Sequence, residues 1–230
     1  MSLRERLDIS AYLVIGPENT QGRPVKTVIC DAVAAGFTIV QLRSKVASAR
    51  ELIALCGDAA AAIAEAGKSG QVALVVNDRL DVALAARAAG IRVDGIHVGQ
   101  SDIPAAVCRQ YLGPSAVIGL SARTRELIDY VRGVDISEID YFGAGPLHET
   151  ATKPEAGRDA AGHLVTRSLD EIAELARISP IPAVIGGGVK LADIPDLKRT
   201  GIAGFFVVSA VTEADDPGRA AAELVAAWHA

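Results

Sequence analysis

The run VALVVNDRLDVALAARAAGIRVDGIHV, Val72 to Val98, reads as a strand (Val72 to Val76), a helix (Leu80 to Ala89) and a second strand (Gly95 to Val98). A short β-branched run gives way to alanine and leucine and then returns, the form of a βα repeat around a parallel sheet. The same alternation continues in both directions. Further strands are expected at Ala11 to Ile15, Phe37 to Leu42, Ala116 to Leu120, Ile139 to Phe142, Ala183 to Gly186 and Gly204 to Val208. Helices are expected at Val25 to Ala35, Ser48 to Ala66, Ile103 to Tyr111, Thr124 to Arg132, Ser168 to Arg177, Leu191 to Lys198 and Ala220 to Trp228. Eight such repeats in 230 residues, with no Pro/Gly/Ser linker between them, predict one α/β domain over 1–230, a (β/α)8 TIM barrel. An open doubly wound sheet would offer fewer strands and a glycine-rich turn after the first. The turn here is Gly16-Pro17-Glu18-Asn19, which lacks that fingerprint.

Composition narrows the function classes. Half the residues are hydrophobic and 22% charged, so the chain is not disordered. With 23 basic against 28 acidic residues the net charge is -5, which argues against a nucleic-acid partner held by phosphate contacts. The segment Met1 to Asp8 is charged rather than apolar, and no apolar run approaches the ~18 residues of a membrane span, so no membrane association and a cytoplasmic location are expected. Cys30, Cys56 and Cys108 lie in alanine-rich helical stretches and read as small buried residues of a reducing compartment. His97, His148, His163 and His229 form no i, i+4 pair and have no cysteine partner, which argues against zinc.

In such a barrel the chemistry gathers on the loops after the strands' C-terminal ends. Gly186-Gly187-Gly188, after the seventh strand, lets backbone N–H groups approach an anion, and Ser209 is expected to open the last helix; together they form a phosphate corner. Arg43, Lys45 and Lys153 would converge on the mouth from the second and sixth strand ends and suit a second, more highly charged group. Asp78 and Asp102 among these cations suit a Mg2+ completed by water and phosphate oxygens, although each acid alone also reads as a cap or turn residue. The connection from Gly143 to Arg167 exceeds the ~12–15 residues usual for structureless loops. It is expected to close over substrate, with Gly143 and Gly145 as hinges and Thr150, Thr152 and Lys153 as donors to an anion. His97 reads as an acid–base group or as a neutral residue packed in the mouth, and His148 is equally ambiguous.

Read in order, the strings Gln41-Leu42-Arg43-Ser44-Lys45, Asn77-Asp78, Asp94-Gly95-Ile96-His97-Val98-Gly99-Gln100-Ser101-Asp102, Gly119-Leu120-Ser121 and Gly143-Ala144-Gly145-Pro146 followed by Thr150-Ala151-Thr152-Lys153 resemble the thiamine-phosphate synthase family. The resemblance covers the chain from Tyr12 to the last helix. It implies a (β/α)8 transferase that joins hydroxymethylpyrimidine diphosphate to thiazole phosphate, releasing diphosphate and forming thiamine monophosphate with Mg2+. It further implies that Gln41, Arg43, Lys45, Asn77 and Lys153 surround the pyrimidine diphosphate, with Ser121 beside it, and that Asp78 and Asp102 bind the metal. Thr150 and Thr152 would face the substrates, and Gly188, Val208 and Ser209 would hold the thiazole phosphate.

The reaction so implied is dissociative, which makes the missing acid–base dyad an expectation: the protein must stabilise a leaving group and exclude water. Ser44 stands where the family commonly has an acid, Arg123 where histidine or another polar residue is usual, and His148-Glu149 replaces a frequent Tyr-Pro. None of these changes removes a cation or a metal ligand. Two rivals share the barrel. A thiazole tautomerase would lack the diphosphate cations and rely more on a histidine; a barrel that only binds a phosphorylated ligand would leave the paired acids without a role. The sequence leaves open whether the chain works as a monomer or a homo-oligomer.

Overall fold

Branched and long aliphatic side chains alternate inward and outward along each expected strand, so every strand has to be covered on both faces, and closure into a barrel does this. The computed structural model describes residues 2–122, 126–150 and 164–230. In it, β1 (Ala11–Ile15), β2 (Ile39–Leu42), β3 (Ala73–Asn77), β4 (Gly95–Val98), β5 (Val117–Ser121), β6 (Tyr141–Ala144), β7 (Ala183–Ile185) and β8 (Gly204–Val207) form a closed parallel barrel in chain order. Closure is made by β1 against β8, with Tyr12 opposite Phe206. Around it lie α1 (Val25–Ala35), α2 (Ala49–Glu65), α3 (Leu80–Ala88), α4 (Ala105–Leu112), α5 (Leu127–Gly133), α6 (Leu169–Ile178), α7 (Ile194–Arg199), α8 (Ser209–Thr212) and α9 (Pro217–His229). The barrel fold is thus as the sequence predicts. No described helix is long and apolar enough to cross a membrane.

Two apolar layers hold the structure. The larger lies between barrel and helices, where outward strand residues such as Leu13, Val40 and Leu74 meet Val28, Ile29, Ala59 and Ile63. The smaller fills the barrel itself with Tyr12, Ile39, Val75, Val117, Tyr141 and Val184, and is closed at the base by Ile9, Leu7 and Leu3. The apolar residues of the first segment therefore serve as a plug. Arg4 reaches Asp140 at 2.6 Å, and Asp140 also accepts from the buried Arg109 at 2.9 Å.

Glycines set the cross-section of the lumen. A Cβ on Gly119 would fall 2.2 Å from Tyr141 Cζ and 2.5 Å from His97 Nδ1; one on Gly186 would fall 2.2 Å from the Phe206 ring. Each bare position makes room for a ring from a neighbouring strand, so large and small residues interdigitate as packing of a small barrel requires.

Several expected boundaries shift. Phe37 stays outside β2 because its N–H bonds Ala32 O at the end of α1, where Gly36 turns the chain with φ 112°. β6 begins two residues late and includes Gly143, which is a ladder residue opposite Val184 and not a hinge. Gly145 packs against the next loop, since a Cβ there would lie 2.5 Å from Gly186 O. The expected helix Leu191 to Lys198 splits into a short 3-10 turn, Leu191–Asp193, and α7. Ser209 opens α8, a separate single turn, and not the last helix, which is α9. Arg123 lies outside the described residues.

A Gly119→Ala variant is expected to lose about 1–3 kcal/mol of stability through overpacking against Tyr141 and His97. Urea unfolding should show this as a lower midpoint at unchanged slope.

Candidate active site

Because all eight strands run parallel, the last inward side chain of each meets the others at one end of the barrel. That end encloses a cavity of about 170 Å³ lined by residues from all eight strand ends. Of the residues singled out in the sequence, Gln41, Arg43, Asn77, Ser121, Thr150, Gly188, Val208 and Ser209 line it. Tyr12 and Phe206 also line it and were not among them; His97, read from the sequence as an acid–base group or a neutral residue packed in the mouth, lines it too.

Lys45, Asp78 and Asp102 form a cluster of their own at the rim beside Asn77. Lys45 Nζ lies 2.9 Å from Asp78 Oδ2, with the lysine side chain 56% exposed. Asp78 adopts a left-handed backbone, φ 62°, which an aspartate tolerates better than most residues, and its N–H is held by His97 O at 2.8 Å. Asp102 Oδ2 accepts from Gly99 N–H at 2.8 Å. Burial acts to raise the Asp78 carboxyl, but Lys45 beside it outweighs that and leaves it below the ordinary value. Asp102 moves the other way, raised by burial and then by the charge of Asp78. An ionised carboxyl that opposes the ionisation of the one beside it is matched by a divalent cation. No group of three or more His, Cys, Asp or Glu is assembled for a metal among the described residues. A pair of carboxylates is nonetheless a donor set that a hard divalent cation, completed by water and phosphate oxygens, would fit.

The cation strand end is braced from β1. Glu18 Oε1 accepts from Lys45 N–H at 2.9 Å, and Arg43 N–H bonds Ile15 O at 2.9 Å. Gly16 is required between them, because a Cβ there would lie 2.0 Å from Arg43 O.

The opposite wall is backbone. Gly187 and Gly188 have φ of 81° and 74°, and the carbonyls of Gly186 and Gly187 accept from Leu147 N–H at 3.0 Å and His148 N–H at 2.9 Å. The first residues after β6 are thereby pinned to the glycine turn. His148 Nε2 also sits 3.0 Å from Asp193 Oδ1, so this histidine ties two loops together at the surface. The N–H groups of Ser209 and Ala210 lie ahead of the first α8 hydrogen bonds, which run from Val211 and Thr212 to Val208 O. Thr152 and Lys153 lie outside the described residues.

His97 is 8% exposed and hydrogen-bonded at both ring nitrogens, to Tyr141 Oη at 3.1 Å and Ser121 Oγ at 2.9 Å. The cysteines are no part of the site; burial pushes the Cys56 thiol up to about 11.

The sequence pattern described as thiamine monophosphate synthase matches residues 11–211. The chain belongs to that family. Thiamine-phosphate synthases of Corynebacterium efficiens and Chloroflexus aurantiacus are 38% and 37% identical to it, over 97% of this chain in each case and over 96% and 94% of theirs. A solved thiamine phosphate pyrophosphorylase from Pyrococcus furiosus superposes with a TM-score of 0.78 at 25% identity, covering 99% of this chain and 98% of that one. A 3-hexulose-6-phosphate synthase, 16% identical with a TM-score of 0.65, shares the fold alone. The resemblance seen in the sequence is therefore family membership, and with it stands the reading of the chain as a transferase that forms thiamine phosphate.

Gly16→Ala is expected to displace the Arg43 to Lys45 segment and weaken binding of inorganic diphosphate roughly tenfold, the effect of losing about one charge-assisted contact. Isothermal titration of the folded variant checks this.

Proposed function

We propose that the cavity joins hydroxymethylpyrimidine diphosphate to thiazole phosphate, giving thiamine monophosphate and diphosphate. The observation that carries this reading is the division of one cavity into two anion environments, side-chain cations at Arg43 with Lys45 at its rim, and backbone amides at Gly188 and Ser209. A substrate with a diphosphate and one with a single phosphate are matched by two such walls facing a common interior, where Val14 and Val184 lie beside the neutral polar groups of Tyr12 and His97.

Each residue then has a task. Arg43 and Lys45 take up the charge that develops on the diphosphate as the carbon–oxygen bond breaks. The lysine tip of the Lys45 to Asp78 pair is exposed although Asp78 is mostly buried, so the ammonium can turn from the carboxylate to a phosphate oxygen. Asp78 and Asp102 would hold Mg2+, which when bound supplies neutralising charge to the diphosphate oxygens. Gln41 and Asn77 line the wall beside Arg43 and orient the pyrimidine ring. Ser121 faces the pyrimidine or its diphosphate. Gly188, Val208 and Ser209 hold the thiazole phosphate, which aims the ring nitrogen's lone pair at the pyrimidine methylene carbon. The new carbon–nitrogen bond takes that lone pair, and the breaking bond leaves its electrons on diphosphate, so no proton has to be removed. The roles of Thr150, Thr152 and Lys153 rest on the family motif, with Thr150 at the cavity wall. Both substrates are charged and water-soluble, in keeping with a cytoplasmic reaction.

The test is product formation by the purified chain given both substrates, with and without Mg2+. Metal-dependent thiamine monophosphate is expected; none from folded protein would reject the reading in favour of the tautomerase or the binding-only barrel. Asp102→Ala should raise the Mg2+ concentration needed for half-maximal rate by about tenfold or more while leaving circular dichroism unchanged. Ser209→Asp should raise KM for thiazole phosphate about tenfold by charge repulsion and leave KM for the pyrimidine diphosphate within about twofold. Equal weakening of both would break the two-wall assignment.

A further inference from the structure

A chain of hydrogen bonds crosses the barrel lumen at the bottom of the cavity, using side chains of β2, β1, β6, β4 and β5. Gln41 Nε2 lies 2.5 Å from Tyr12 Oη, Tyr12 Oη 2.8 Å from Tyr141 Oη, Tyr141 Oη 3.1 Å from His97 Nδ1, and His97 Nε2 2.9 Å from Ser121 Oγ. Gln41, Tyr12, His97 and Ser121 line the cavity with little of their surface exposed, and Tyr141 is fully buried. We propose that Tyr12, Tyr141 and His97 are positioning residues that fix Ser121 as a hydrogen-bond donor toward the substrate. The proposal rests on the reading of Ser121 as a substrate-facing group.

The direction follows from counting protons. An amide nitrogen can only donate, so Tyr12 Oη accepts from Gln41 and gives its single proton to Tyr141. Tyr141 then gives its own proton to His97 Nδ1. A neutral imidazole whose Nδ1 accepts carries its hydrogen on Nε2, and that N–H donates to Ser121 Oγ. With its oxygen so occupied, the Ser121 hydroxyl turns its proton into the cavity. Burial raises the pKa of both tyrosines, so neither ionises and breaks the sequence of donors. Were the Gln41 amide turned, every link would reverse: His97 would carry its hydrogen on Nδ1, and Ser121 would donate to Nε2 and offer the substrate lone pairs only.

The two polarities differ chemically. A donor at Ser121 stabilises an oxygen gaining negative charge as diphosphate departs; an acceptor there would oppose it. Packing alone does not account for the arrangement. Phenylalanine at 12 and 141 would fill the lumen without placing two hydroxyls in it, and Gly119 is bare at the point where the Tyr141 and His97 rings meet.

The deciding measurement is the tautomer of His97 in the 15N-histidine-labelled full chain, by long-range proton–nitrogen correlation at mildly alkaline pH, with the signal assigned by its loss in His97→Gln. Hydrogen on Nε2 is expected in the wild type, and a shift toward Nδ1 in Tyr141→Phe, which lacks only the hydroxyl. Under steady state Tyr141→Phe should lower kcat roughly tenfold with both KM values within about twofold, the scale of one misdirected hydrogen bond. His97→Gln, whose amide N–H stands in for Nε2–H, should keep most of the rate that His97→Phe loses. The double variant Tyr141→Phe, Ser121→Ala should be no slower than Ser121→Ala alone, because the tyrosine acts only through the serine. Hydrogen on Nδ1 in the wild type, an unchanged kcat in Tyr141→Phe, or multiplying effects in the double variant would overturn the proposal. An absence of product from the wild type would instead reject the function, while the tautomer would still decide the polarity.

Discussion

The Tyr12 to Tyr141 hydrogen bond joins side chains from β1 and β6 across the interior of the barrel, and the site above is built on it. A phenolic hydroxyl buried without a partner costs a few kcal/mol, so the two must find each other, and the rings must then lie at a fixed height in the lumen. That height decides what stands above. His97 meets the far side of Tyr141, with ring centroids 5.5 Å apart, and Phe206 leans on Tyr12 at 6.2 Å. Gly119, Gly143 and Gly186 are bare because these rings occupy the space their side chains would need. The cavity floor is thus set by a polar contact and its size by glycine.

The two walls of the cavity differ in stiffness for physical reasons. The glycine turn is held by backbone hydrogen bonds from Leu147 and His148 and by close approach, since a Cβ on Gly188 would come within 2.8 Å of His148 Cβ. Such a wall offers amide donors at a fixed place and suits recognition of one phosphate. The cation wall has a rigid base, where Gly16 and Glu18 brace Arg43 and Lys45, but its charged tips reach toward solvent. On the proposed reading, flexible tips on a braced strand end would follow a diphosphate from bound ester to free leaving group, which a backbone cradle could not.

The fold was legible in the chain because parallel barrel strands are covered on both faces and so appear as short apolar runs between helices. Boundaries failed where a local bond competed with the pattern. Phe37 looks like strand and is buried like one, yet its N–H is spent on the end of α1. Gly143 and Ala144 look like loop, yet they continue β6, because beside His97 only small residues fit. Among site residues, those with unusual charge or loop position, Arg43, Lys45, Asp78 and Asp102, could be found from residue type and strand position. Gln41, Asn77 and Ser121 carry no such signal and came from the family motifs. Tyr12 and Tyr141 had none at all: each sits in an apolar strand where a tyrosine reads as core, and only closure of the barrel reveals that their hydroxyls, on β1 and β6, touch. Glu18 was hidden for a similar reason, since its partner is a backbone N–H from another strand end.

The paired acids explain why the rim can be charged without being unstable. Asp78 is held ionised by Lys45, and its charge in turn raises Asp102, so the cluster is one positive charge short when both carboxyls are ionised. That shortfall costs little in an open rim, where water screens the pair, and it becomes an attraction when a cation arrives with an anionic ligand. The same charges placed in the lumen would have been prohibitive, and the lumen accordingly contains neutral donors and acceptors in a closed sequence. Charge at the rim and neutral polarity in the floor are therefore two answers to one constraint: polar groups buried in the barrel need partners there, and uncompensated charge is tolerable only where solvent or substrate can reach it.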